Sequence, residues 1–265
     1  MAKTTGKPES LSDEFEIGVL YGDRHATDHS PRNDRILLEI IKDINPDYIF
    51  DLGDPVNAAC LGKYKKRHKQ LVGLRDEIEN DQDWRARIKK VSPDSVKIIL
   101  DDNHLVRRLD DFVCDGNWWL DELGVLKPAN ILSLEEHGWT MVPEWKWKNT
   151  VLMCHGDAPG LRGTPECPVN KCRQLVRKSH LTVIKAHSHS TGIEIIPSGN
   201  GEFHYAVQIG ALMDITKTDY VKHIDFSMAS ESAALIYLSR KTTSHVIIPI
   251  VFHSFGTIVD GRLYR

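Results

Sequence analysis

The sequence predicts an α/β fold with parallel strands, and three observations carry that reading. Apolar runs of strand length alternate with helical stretches, and the joints between them are short. Five of the runs lead directly into clusters of Asp, His and Asn. In open α/β sheets, ligands sit beyond the carboxyl ends of the strands, so five such clusters share one rim.

In chain order, residues 1–13 are polar and are expected to form a flexible N-terminus, with residues 14–265 as a single domain. Residues 16–21 (EIGVLY) read as a buried strand running into GDRH. Residues 35–44 (RILLEIIKDI) have helical spacing and stop at Asn45-Pro46. Residues 47–52 (DYIFDL) form a second strand, and strand–helix–strand with short joints makes the two strands parallel. Residues 63–91 are charged and helical, ending at Ser92-Pro93. Residues 96–100 (VKIIL) are a third strand, running into DDNH, and 104–113 a helix. Residues 114–149 carry tryptophans without clear periodicity. Residues 150–154 (TVLMC) run into HGD, and residues 181–185 (LTVIK) run into AHSH. Beyond residue 192 short alternating runs are expected to supply a second sheet, closing with a hairpin at Asp260-Gly261.

Composition narrows the function classes. The chain has 265 residues, 41% of them apolar, and a formal net charge of −3, so no global basic field points to nucleic acid. The five cysteines are odd in number and form no framework. There is no leader-like start, and no apolar run is long enough for a bilayer. A cytoplasmic setting without membrane contact is the expectation.

The clusters at the strand ends are Asp23/His25, Asp54, Asn103/His104, His155 and His187/His189. Any one of them is common by chance; five at strand ends are not. Carboxylate, amide and imidazole donors suit divalent metals, and no thiolate joins them, which disfavours soft-metal and iron–sulfur readings. The order D-x-H, G-D, N-H, H-G, H-x-H resembles that of the calcineurin-like metallophosphoesterase family, and is most similar to the small phosphoesterases of bacteriophages and bacteria. The resemblance implies a four-layer α-β-β-α sandwich with two central mixed β-sheets and a dinuclear metal site at the strand C-terminal ends. It implies Asp23, His25 and His189 around one metal, Asn103, His155 and His187 around the other, and Asp54 between them. Mn²⁺ is the first choice, with Fe, Zn²⁺, Ni²⁺ or Mg²⁺ as alternatives.

The implied activity is hydrolysis of a phosphodiester, with DNA or a nucleotide as candidate substrates, by metal-activated hydroxide with His104 as general acid. A phosphomonoesterase, a protein phosphatase and a silent metal-binding assembly module are the alternatives, and a homo-oligomer is left open. Arg107, one turn on from Asn103, is placed to neutralise phosphate. Lys63, Lys65 and Lys66, in the basic run 62–70, read first as a solvated face and second as substrate contacts together with Arg108. Trp118 and Trp119 are read as packing before base stacking. Two positions depart from the family: Asp102 and Ala186 stand where glycine is usual. Asp102 is expected to keep a left-handed turn.

Overall fold

Period-two alternation decides the architecture. Along β1 (Phe15–Tyr21), Ile17, Val19 and Tyr21 enter one apolar core while Leu20 enters another. β2 (Tyr48–Asp51) and β3 (Val96–Leu100) repeat the pattern: Ile49 and Ile99 join the first core, Phe50, Ile98 and Leu100 the second. Successive side chains of a strand point to opposite faces, so a sheet covered on both sides reads as a continuous apolar run. The computed structural model describes residues 11–62, 73–114, 119–122, 124, 126–158, 160–161, 168–199, 201–217 and 229–265.

The chain continues through β4 (Trp139–Val142), β5 (Trp145–Trp147), β6 (Val151–Cys154) and β7 (Thr182–Lys185). β8 (Gly192–Pro197), β9 (Phe203–Gln208), β10 (Ser232–Ser239) and β11 (His245–Val251) follow. β12 (Thr257–Val259) and β13 (Arg262–Tyr264) close the chain as a hairpin whose turn residues Asp260 and Gly261 both have positive φ, as the sequence predicts. Among the described residues, one sheet has the order β11-β10-β1-β2-β3-β4 and a second the order β5-β6-β7-β9-β8. β1 to β4 are mutually parallel, and β10 and β11 add antiparallel strands. In the second sheet β6, β7 and β9 are parallel, between antiparallel edges β5 and β8.

The two sheets face each other across Leu20, Phe50 and Ile98 on one side and Trp147, Met153, Ile184 and Val207 on the other. Helices Pro31–Ile44 and Leu74–Val91 cover the outer face of the first sheet through Ile36, Ile40, Ile41, Trp84 and Ile88. Helix Asn170–Ser179 covers the second through Cys172 and Val176 on Val183 and Ala206. This is the four-layer α-β-β-α sandwich.

The structure corrects several expectations. The segment after residue 192 does not build only the second sheet: β10 and β11 pair into the first, where β10 lies buried beside β1. The first long helix starts a turn earlier than its apolar spacing suggests, because Ser30 Oγ accepts from the Asn33 N–H and Pro31 occupies the first turn, where its missing N–H costs nothing. The helix expected over 63–91 is described from Leu74 onward, and residues 63–72 lie outside the described residues. Residues 1–10 of the expected flexible terminus also lie outside them, and Leu11–Glu14 forms a helical turn. Trp118 lies outside them as well, whereas Trp119 is 51% exposed and does not pack into a core. Among the described residues, no helix is long and apolar enough to cross a membrane.

Candidate metal centre

The loops after β1 and β2 are joined backbone to backbone. Asp23 N–H donates to Gly53 O at 2.9 Å and His25 N–H to Asp54 O at 3.1 Å. Asp23, His25, Asp54, His187 and His189 all have left-handed backbone, with φ between 51° and 76°. Non-glycine residues reach that region at a cost of about 1–3 kcal/mol each, and such strain concentrates where side chains must be aimed. Five strained polar residues at the ends of strands from both sheets mark this rim as the candidate site.

Two groups of donor atoms converge there. Asp23, His25, Asp54 and His189 form one, and Asp54, His155 and His187 the other, each with its atoms within 4.8 Å of one another. Asp54 belongs to both. His189 Nε2 lies 3.2 Å from Asp23 Oδ1 and 3.2 Å from His25 Nε2. His155 Nε2 lies 3.3 Å from Asp54 Oδ2 and 3.0 Å from Asn103 Oδ1. The His187 N–H donates to Asp23 Oδ2 at 3.0 Å, fixing the turn between the two histidines of the last cluster.

The proton bookkeeping shows what this set fits. His155 Nδ1 lies 2.8 Å from Leu52 O, and a carbonyl only accepts, so Nδ1 carries the proton. A neutral His155 then turns the Nε2 lone pair on two oxygens, an arrangement that repels unless a proton or a cation lies between. Burial opposes charge on His155, but the Asp54 carboxylate outweighs it and pushes the imidazole up to about 10. Burial alone would raise Asp54, yet His104, His155 and His25 hold it well below the usual carboxylate range. Burial, then His104, pulls His25 down to about 3, and burial, then His155, pulls His187 down to about 4. Lone pairs aimed at lone pairs, around ionised carboxylates, fit divalent cations, and this Asp/His cluster has the donors to hold them.

His104 stands at the edge of the cluster with its side chain 23% exposed. Its Nδ1 lies 3.1 Å from Asn57 O, which leaves Nε2 facing the site. The Asp102 carboxylate precedes this turn, and its Oδ1 accepts from the N–H groups of Leu105 at 2.7 Å and Val106 at 3.4 Å. Asp102 therefore serves as a cap, and its φ is not in the left-handed region that the sequence suggested. Ala186 also keeps ordinary backbone, and it lies buried against Gly22.

The two arginines have partners within the protein. Arg107 forms an ion pair with Asp157, and the Arg108 guanidinium donates to Asn57 O. Both are occupied by protein partners, one acidic side chain and one carbonyl. Lys63, Lys65 and Lys66 lie outside the described residues.

Sequence reasoning missed the support behind the site. Arg85 is fully buried, with Nε 2.6 Å from Asp81 Oδ2 and one terminal nitrogen 3.1 Å from Asp51 Oδ2. Asp51 Oδ1 in turn accepts the Gly53 N–H at 3.1 Å, so this charge triad shapes the loop that carries Asp54. The only hint in the sequence is the Asp81/Arg85 spacing of one helical turn. Gln208 is part of the same support: its Nε2 donates to Ala186 O at 2.6 Å, steadying the loop of His187 and His189.

No protein-family model and no curated protein matches this chain. Among solved structures, vacuolar protein sorting 29 from Cryptosporidium parvum is similar at 14% identity and a TM-score of 0.42, over 94% of this chain and 95% of that one. A second is similar at 8% identity and a TM-score of 0.41, over 88% of this chain and 98% of that one.

Proposed function

We propose that this chain is a metal-dependent phosphoesterase that hydrolyses phosphodiesters. One observation carries the reading: two donor groups from the strand ends of both sheets share Asp54, and His104 stands beside them. Asp23, His25, His189 and Asp54 would hold one ion, and Asp54, Asn103, His155 and His187 the other. Divalent ions supply Lewis acidity toward phosphoryl oxygens and water that ionises near neutral pH.

The chain's own residues do the rest. Asp23 and Asp54 stay ionised and set the charge of the centre, leaving it positive toward an anionic ester. The Leu52 carbonyl fixes the tautomer of His155. His104, with Nδ1–H committed to Asn57 O, would give the leaving oxygen a proton from Nε2 as the imidazolium, a form that Asp54 favours and burial opposes.

The test is hydrolysis of bis-p-nitrophenyl phosphate by metal-stripped protein given Mn²⁺, beside Asp54→Asn and His104→Ala. Activity restored by Mn²⁺ and lost in Asp54→Asn supports the reading, with a smaller loss expected in His104→Ala because p-nitrophenolate leaves without a proton. A wild-type protein inert with every divalent metal, on diester and monoester alike, overturns it in favour of a binding module.

A further inference from the structure

A cleft of about 320 Å³ adjoins the metal centre, with His155 in its wall. Its charged lining is Asp101, Asp102, Asp110, Glu144 and Asp157, with Arg107 the one guanidinium among the described lining residues. Arg107 is taken up by Asp157, and Glu144 forms a surface pair with Lys146 at 3.2 Å. Asp102 is 3% exposed; its Oδ1 is held by two backbone N–H groups, and its Oδ2 is buried with no hydrogen-bond partner among the described residues. A buried acceptor without a donor, in a cleft of mutually repelling carboxylates, is an incomplete site.

We propose that this cleft receives an organic ammonium group borne by a substituent of the phosphoester held at the metal centre, an inference that rests on the hydrolase reading for the ester and on the cleft itself for the amine. The cleft's carboxylates do not appear in either group of converging metal donors, so they suit a cation with spread-out N–H donors better than a compact ion. The apolar part of the described lining is aliphatic, Val106, Pro143 and Leu161, with no aromatic ring for a quaternary ammonium. An N–H-bearing ammonium satisfies Asp102 Oδ2 where a quaternary one does not. The volume admits a small amino-alcohol group with room to spare. A polyanionic nucleic-acid strand meets like charge here.

The test is calorimetric binding of O-phosphoethanolamine and of ethyl phosphate, which share the phosphate and differ in the amine, to the Mn²⁺-treated protein. The expected result is roughly 10-fold tighter binding of the amine, as charge-assisted hydrogen bonds provide. Asp110 and Glu144 are exposed, so Asp110→Asn with Glu144→Gln is expected to fold and to cut the preference below about threefold, and Asp110→Lys to reverse it. Equal affinities in wild type, a preference that survives the double variant, or binding of neither ligand overturns the proposal. Because binding needs no turnover, an amine preference without diester hydrolysis keeps the cleft and removes the catalytic reading. Hydrolysis without the preference does the opposite.

Discussion

The backbone N–H of His104 donates to Asp54 Oδ1 at 3.3 Å, while His104 Nε2 stands 3.7 Å from Asp54 Oδ2. The carboxylate shared by both donor groups thus also sets the position of the expected proton donor. The two functions are coupled through one side chain.

The coupling gives a leaving-group test. His104→Ala should slow hydrolysis by about 10²–10⁴-fold for an alkyl leaving group, which needs a proton. The loss should be much smaller for p-nitrophenolate, which does not. Equal losses on both esters would mean that His104 binds phosphate without transferring a proton.

Metal-stripped protein should lose stability with rising pH. The folded-state pKa of His155 is raised from 6.5 to about 10, burial opposing and Asp54 prevailing. A raised pKa means that the folded state binds the proton more tightly, so this contribution is complete below about pH 6.5 and is gone above about pH 10. Urea midpoints measured across that window should fall, and Asp54→Asn should flatten the trend. Metal replaces the proton, so binding at neutral pH should release protons, read as buffer-dependent heats in calorimetry.

Gly53 leaves no room for a side chain. Its φ is 104°, and a Cβ there would lie 2.8 Å from His155 Nδ1, on the nitrogen that meets Leu52 O. Gly53→Ala should displace the imidazole and weaken metal affinity by about 10–100-fold, as loss of an orienting contact does. An unchanged affinity in a metal titration would show that the Leu52 contact is dispensable.

Arg85→Ala should destabilise the fold by about 3–5 kcal/mol, because Asp51 and Asp81 are then buried without their counter-ion. Urea unfolding measures this directly. Since Asp51 also holds the Gly53 N–H, metal affinity should fall in the same variant even where it remains folded.

Local pattern made much of this legible. Strand ends announced Asp23, His25, Asp54, His155, His187 and His189, because apolar runs and the polar residues that follow them are adjacent in sequence. β10 beside β1 was not legible, since pairing across more than two hundred residues leaves no local trace. The pairing of Arg107 was hidden for the same reason: its partner Asp157 comes from the loop after β6, far along the chain. The Asp51–Arg85–Asp81 triad was hidden because charged residues on a charged helix read as solvated surface.

Asp23, Asp54 and Asn103 follow strands of the first sheet, whereas His155, His187 and His189 follow strands of the second. An ion shared among them is a cross-link between two halves of a sandwich that hydrogen bonds such as His187 N–H to Asp23 and His155 to Leu52 O already join at that rim. Its removal is then a mechanical event as well as a chemical one. The thermal midpoint should climb with free metal concentration, by about 2.7 kcal/mol of added stability at a hundred times Kd. Hydrogen exchange should slow on both inner sheet faces together, far from any ligand.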